Sequence, residues 1–349
     1  MTDEFGGGGE IRFERRGRAG IVTLARPGAL NAVTNAMIRA LSRALDAWRN
    51  DDDIALVLVR AEGRVFSAGG DIVEIYRQVQ SGTPPVEFFA EEYRLDHCIA
   101  TFPKPYVAVI DGLAMGGGVG ISYHGSHRVV TENAVFAMPE TGIGFFPDVG
   151  GSFFLPRLKG AFGIFLGLTG ARIGWGDQLR SGLATHAVPS SRMDELVAVL
   201  CAGGNPARAL KSLAVVPERE TDEATLHAID RHFALDRVED ISASLGSVAN
   251  GDPFAARAGG LLAEKSPTSL KVTLAQLAAG QDLDMADCMR MEFRIANRML
   301  AGHDFREGIR AAVIDKSGNP QWRPATLADV TSADVDAYFA PLAQGDIAL

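Results

Sequence analysis

Cysteine is scarce in this sequence: Cys98, Cys201 and Cys288 are the only three, far apart, with neither a CxxC pair nor a histidine partner nearby. That spacing argues against a disulfide framework or a zinc site and reads as buried free thiols of a reducing compartment. Basic clusters are missing too. No Lys/Arg run exceeds two residues, as at Arg15-Arg16, and the net charge is −9 with a pI near 5.3. Without a basic patch, nucleic acid is not expected as a partner. An acidic chain that bound a polyanion would need a locally basic site or one rich in backbone N–H groups. No stretch approaches the roughly 20 apolar residues that span a bilayer, so no membrane partner is expected. The first residues, acidic and then glycine from Gly6 to Gly9, resemble neither a signal nor a transit peptide, and the expected location is the cytoplasm. Two nucleotide signatures fail. Gly116-Gly117-Gly118-Val119-Gly120 follows a strand pattern, but the third glycine of GxGxxG would fall at Ile121; no Gly-Lys-Ser/Thr occurs. No repeat of solenoid length is present.

What the chain has in excess is glycine, 39 residues of 349, on a background that is 47% hydrophobic. Such a chain can bury a core, and its length suggests about two domains. Up to residue 200, short apolar runs alternate with amphipathic stretches. Gly20 to Leu24, Ala55 to Val59, Tyr106 to Ile110, Arg128 to Thr131 and Ala134 to Met138 read as strands. Asn31 to Trp48 reads as a helix, with Met37, Ile38, Leu41, Leu45 and Trp48 at helical spacing, and another helical segment follows Gly118. Past residue 200 strand signals nearly vanish. Ser266-Pro267 opens a helix through Leu277, and Asp287 to Leu300 carries Met291, Ile295 and Met299 on one face. The expectation is an α/β chain with a mixed domain over 10–200 and a helical region over 201–349.

Three constellations carry chemistry. Val65 to Asp71 (VFSAGGD) follows a strand; its small residues let a ligand lie against the main chain, although Asp71 also reads as a simple helix cap. Met115 to Gly120 (MGGGVG) puts unpaired N–H groups at a helix start, a place to hold a developing oxyanion, or else a close helix–sheet crossing. Ala137 to Gly151 sets Glu140 and Asp148 in an apolar loop rich in proline and glycine. Burial there would raise a carboxyl pKa and ready it as a base, whereas an exposed loop acid would merely cap or be solvated.

In this order the three resemble the crotonase (enoyl-CoA hydratase/isomerase) superfamily, from about Ile21 to Pro189. The resemblance implies a ββα spiral core with a helical C-terminal region and an acyl-CoA substrate. It makes the N–H groups of Gly70 and Gly117 an oxyanion hole for the thioester carbonyl, with Ala68 beside them on the substrate. Hydratases of the family keep a glutamate in the pattern GGGxE; here that position is Gly120, while the second hydratase glutamate is kept as Glu140. One carboxylate cannot divide acid and base roles between two groups. The loop from Met138-Pro139-Glu140-Thr141 to Pro147-Asp148-Val149-Gly150-Gly151 is similar instead to the 3-hydroxyisobutyryl-CoA hydrolase branch. So are Phe89 to Leu95, Leu155 to Leu158, Ser266 to Lys271 and Asp304 to Gly308, which extends the likeness over nearly the whole chain.

That branch implies hydrolysis of a short 3-hydroxyacyl-CoA to free acid and CoA, as in branched-chain (valine-type) catabolism. Glu92, Gly117, Glu140 and Asp148 become the substrate-contacting positions. Glu140 activates water or attacks the thioester carbon itself, and Asp148 holds the 3-hydroxyl or positions the water. Glu92 reads equally as an exposed helical acid beside Glu91. No metal or organic cofactor is implied, CoA being part of the substrate, and a homo-oligomer is left open. The alternatives are an enoyl-CoA hydratase or isomerase, a non-catalytic CoA-binding component, and a serine hydrolase. The last would need Ser122 with His124 or His127, yet no GxSxG elbow exists around Ser122.

Overall fold

The structure is a computed structural model that describes residues 2–83 and 85–349. Contacts gather the chain into two compact units that interleave along the sequence. One comprises the chain up to Asp71 with Glu91–Ala137 and Ile173–Glu220; the other comprises Ile72–Ala90, Met138–Arg172 and Thr221–Leu349.

The first unit holds ten strands: β1 (Thr2–Asp3), β2 (Ile11–Arg16), β3 (Ala19–Leu24), β4 (Leu56–Ala61), β5 (Val65–Ser67), β6 (Tyr106–Ile110), β7 (Leu113–Met115), β8 (His127–Val130), β9 (Val135–Ala137) and β10 (His186–Ala187). They form a seven-stranded sheet in the order β1-β2-β3-β4-β6-β8-β10 and a three-stranded sheet β5-β7-β9. From β3 onward every neighbouring pair is parallel. Three times, at β4–β5, β6–β7 and β8–β9, a strand of the large sheet is followed by a short strand of the small one and the chain then turns helical, the repeat of a ββα spiral. β3 is buried along its whole length and β6 likewise, as expected of strands covered on both faces. The helices Met193–Cys201 and Pro206–Leu213 cover one face through Leu196, Leu200 and Leu210, against Ile21, Leu58, Val107 and Val129. On the helix Asn35–Arg49, Trp48 lies where a Cβ on Gly20 would come within 2.6 Å of its ring.

The expected helix over 31–48 begins four residues later than its pattern suggested, at Asn35, with Thr34 as N-cap. Asn31 is fully buried at φ 54° and its side chain is spent on tertiary bonds. Its amide donates to the carbonyls of Glu62 and Val65, both at 2.8 Å, and its oxygen accepts from the Arg26 N–H. Those bonds hold the segment in a turn against the loop ahead of β5 and outweigh its helical periodicity. The other elements read from the sequence lie within a few residues of their expected places, including Pro267–Gly280 with Ser266 as N-cap and Met285–Ala301.

The second unit carries helices and the loop from Met138 to Gly150. Phe145 is the hub of its aromatic packing, with ring centroids 5.5 Å from Phe89, 4.7 Å from Phe146 and 5.0 Å from Phe305.

Replacing Asn31 by Ala leaves two carbonyls and one N–H, all partly buried, without these partners. The expected loss is roughly 1–3 kcal/mol of unfolding free energy, read from urea titrations of the two proteins; coincident midpoints would show that these bonds do not fix the turn.

Candidate active site

In the first unit the two glycine loops touch. A Cβ on Gly69 would lie 3.3 Å from the Met115 carbonyl oxygen and 3.7 Å from the Gly117 nitrogen. A Cβ on Gly117 would stand 3.4 Å from the Gly70 nitrogen and overlap Glu92 Oε1. Val33 fixes the Gly70 turn from both sides, donating its N–H to the Gly69 carbonyl and accepting the N–H of Asp71. Asp71 itself pairs with Arg26 at 2.8 Å. Among the described residues neither the Gly70 nor the Gly117 N–H is spent on an acceptor, and Gly117 is the first residue of the helix Gly117–Tyr123. Unused amides at a helix start suit a developing negative charge. The Ala68 N–H, by contrast, is used by the Leu30 carbonyl.

Gly117, Gly118 and Gly120 are each held to that identity by a different neighbour. At Gly118 a Cβ would come within 2.7 Å of the Ser67 Cβ and carbonyl oxygen, and at Gly120 within 2.6 Å of the Asp96 carboxylate. Glu92 and Asp96 are one turn apart on the helix Val86–Ala100, and both are buried. Glu92, 2% exposed, is therefore not the solvated helical acid that its neighbour Glu91 suggested; Glu91 is the one that pairs outward with Arg39. Ser122 is buried and donates to the Gly118 carbonyl at 2.6 Å, a helix-internal bond rather than a nucleophile's contact with a base. His127 stacks on His186 at 6.1 Å, and its Nδ1 shares a hydrogen bond at 3.0 Å with the neighbouring Ser126 hydroxyl rather than with Ser122.

The second unit brings Glu140 and Asp148 together. Glu140 opens a short 3-10 helix, Glu140–Ile143, and Asp148 follows on the same loop; they are 6% and 5% exposed. Burial, and secondarily the charge of Asp148, holds the Glu140 carboxyl well above its ordinary range, and its Oε2 has no hydrogen-bond partner among the described residues. A carboxyl so placed holds its proton more tightly than an exposed one and is a stronger base once the proton leaves.

The late sequence motifs prove to be supports of this loop. Ser266, the N-cap of Pro267–Gly280, donates to Asp304 Oδ2 at 2.6 Å. The backbone at Asp304 passes so close to Gly144, and Ile143 so close to Gly308, that a Cβ at either glycine would overlap main-chain atoms. Gln276 donates to the Pro147 carbonyl at 2.7 Å.

One residue of the loop's surroundings was missed in the sequence: Glu292, fully buried on Met285–Ala301. Its signal was there, an acid within a stripe of Cys288, Met291, Ile295 and Met299. Burial, outweighing the Ser152 and Gly150 hydrogen bonds, pushes its carboxyl up to about 8, with Asp148 adding to the rise.

A family model described as enoyl-CoA hydratase/isomerase matches residues 19–339. The chain belongs to that family. Within it, the chain is 44% identical over 350 residues to a rat (Rattus norvegicus) protein named 3-hydroxyisobutyryl-CoA hydrolase, mitochondrial, covering 97% of this chain and 90% of the rat one. Among solved structures, a carnitinyl-CoA dehydratase from Mycobacterium thermoresistibile superposes with a TM-score of 0.91 at 41% identity, covering 96% of this chain and 98% of the other. An enoyl-CoA hydratase from Rhodobacter sphaeroides superposes with a TM-score of 0.89 at 37% identity, covering 97% and 100%. The enoyl-CoA hydratase/isomerase fold, with its parallel spiral core and helical C-terminal region, is thus the fold of this chain, and no helix among the described residues is long and apolar enough to cross a membrane.

A free carboxyl gives up its proton near 4.5, whereas folded Glu292 keeps it to about 8. Between those values the folded chain binds one proton more than the unfolded chain, so this contribution to stability is full below the lower value and is lost as pH rises through the upper. Relative to Glu292→Gln, the wild type is expected to lose thermal stability from about pH 5 to about pH 8. Parallel melting curves for the two across that window would remove the burial argument.

Proposed function

We propose that this chain is an acyl-CoA thioester hydrolase that cleaves a short 3-hydroxyacyl-CoA, 3-hydroxyisobutyryl-CoA foremost, to the free acid and CoA. The observation that carries the reading is the pair of facts at Glu140 and Gly120. One buried carboxyl, with an oxygen left unbonded, is available for chemistry. The place from which a hydratase would extend its first glutamate is a glycine, with the Asp96 carboxylate filling the space beyond it. Curated relatives at 44%, 43% and 44% identity over nearly the whole chain carry the hydrolase name, which supports the same reading.

In the proposed reaction the N–H groups of Gly70 and Gly117 take the thioester oxygen as it gains charge. Removing one such donor typically costs about 10²–10³ in rate. Ionised Glu140 takes a proton from water as its oxygen bonds to the acyl carbon; the carbon–sulfur bond then breaks and the CoA sulfur receives that proton. Attack by ionised Glu140 itself, breaking the carbon–sulfur bond to release the CoA thiolate and leaving an anhydride that water then opens to two acids, one of whose protons goes to the thiolate, is the second route. Asp148 holds the substrate's 3-hydroxyl or the water, and Glu92 lies against the Gly117 end of the substrate. The scheme calls on no metal or organic cofactor. A cytoplasmic setting and a role in valine-type catabolism belong to the proposal as well; the rat relative is named mitochondrial, and cell fractionation distinguishes the two locations.

Thiol release from a panel of acyl-CoAs tests the assignment. The wild type should release CoA from 3-hydroxyisobutyryl-CoA and leave crotonyl-CoA unhydrated, and Glu140→Ala should lose most turnover while still binding CoA. Crotonyl-CoA hydration without thiol release would turn the reading to a hydratase. Because Glu140 must lose its proton to act, kcat/KM should climb with pH at values above the ordinary carboxylate range. Asp148 is one cause of that displacement, so in Asp148→Asn the residual climb should move to lower pH; an unmoved limb would mean that another group titrates.

A further inference from the structure

The loop that ends in Asp148 and turns back through Val149 and Gly150 is held at both ends by buried side chains from two helices. On the approach, Gln276 of Pro267–Gly280 donates to the Pro147 carbonyl at 2.7 Å. On the return, Glu292 of Met285–Ala301 accepts three hydrogen bonds: from the Gly150 N–H at 2.9 Å on one oxygen, and from the Ser152 N–H at 3.0 Å and hydroxyl at 2.5 Å on the other. Between the clamps the chain adopts φ 47° at Val149, a left-handed conformation that a β-branched residue keeps only when its surroundings impose it.

We propose that Glu292 is the positioning residue of Asp148. By fixing Gly150 and Ser152 it forces the turn at Val149, and that turn aims the Asp148 carboxylate. Ordinary packing needs no acid at this depth; an apolar residue would fill the same volume without the cost of burying a carboxyl. What only a carboxyl supplies is two oxygens side by side, one for each end of a three-residue N–H span. Glutamine keeps the shape but offers one acceptor, so one of the two N–H groups must face an amide nitrogen that cannot receive it.

The inference rests on the reading that Asp148 attends to the substrate's 3-hydroxyl, and it predicts a change of preference rather than a general loss. Thiol release is measured on a 3-hydroxyacyl-CoA and on the same acyl chain without the hydroxyl, for wild type, Glu292→Gln, Asp148→Asn and the double variant. Glu292→Gln should lose about 10- to 100-fold in kcat/KM on the hydroxylated substrate and clearly less on the other, and the double variant should match Asp148→Asn alone. An equal fall on both substrates, or additive losses in the double variant, would overturn the proposal.

Should the wild type release no thiol at all, the functional reading fails, and Glu292 is judged by amide exchange. Exchange at 150–152 should quicken at least about 10-fold in Glu292→Gln, with the rest of the chain protected as before; unchanged exchange sinks the positioning role. If Glu292→Gln does not fold, Ser152→Ala removes only the hydroxyl bond. It should shift the substrate preference the same way by a smaller factor and quicken exchange at the same amides. No shift in either measurement would count against the clamp.

Discussion

A carboxyl group cut off from water holds its proton, and the protein must either supply hydrogen bonds to compensate or leave the group reactive. The second unit does both within one loop. Glu292 and Glu140 are both buried and both displaced upward. Glu292 accepts bonds from two N–H groups and a hydroxyl, while Glu140 Oε2 is left without a partner among the described residues. Hydrogen bonding thus separates a carboxyl that shapes the loop from one kept available for chemistry. The aromatic packing about Phe145, with Phe89, Phe146 and Phe305, builds the apolar ground in which that distinction has force.

The glycine run works under the opposite constraint. A backbone N–H is of use to a ligand only if no side chain covers it and no carbonyl claims it. At residues 117, 118 and 120 the space above each Cα is already occupied, by Glu92, Ser67 and Asp96. The three glycines are therefore one half of a fit whose other half lies on the helix Val86–Ala100 and on β5. A change on either side has to be answered on the other, and the amides of Gly70 and Gly117 depend on both.

Much of this was legible in the residues. The strands announced themselves as β-branched runs, and the acid loop and the glycine run stood out by composition and led to the family. What escaped was whatever depends on a distant partner. Asn31 lies in a helical pattern, yet bonds to Glu62 and Val65 keep it in a turn. Glu91 and Glu92 are adjacent, so no periodicity could say which is inside; the Gly117 contact decides it. Glu292 was visible as an acid in an apolar stripe, but its partners stand 140 residues earlier in the chain or more. The motifs Ser266 to Lys271 and Asp304 to Gly308 could be recognised by resemblance, whereas their reason is steric: they press on Ile143 and Gly144 and hold the acid loop in shape.

The same steric logic bears on how the family divides its chemistry. Relatives named hydrolase and solved structures named hydratase or dehydratase resemble this chain to a similar degree in sequence, so overall similarity is a poor guide to the reaction. Position 120 is a better one, and for a reason larger than one residue. A side chain placed there would have to displace the Asp96 carboxylate, which is itself buried and fixed on its helix. In this chain the glycine at 120 and the acid on the neighbouring helix are thus two halves of one fit. A glutamate set at 120 in this chain would need a smaller residue at 96 to make room for it. With position 120 filled in this way, the proposed chemistry of Glu140 is attack on the thioester carbon, its own or that of a water it has deprotonated.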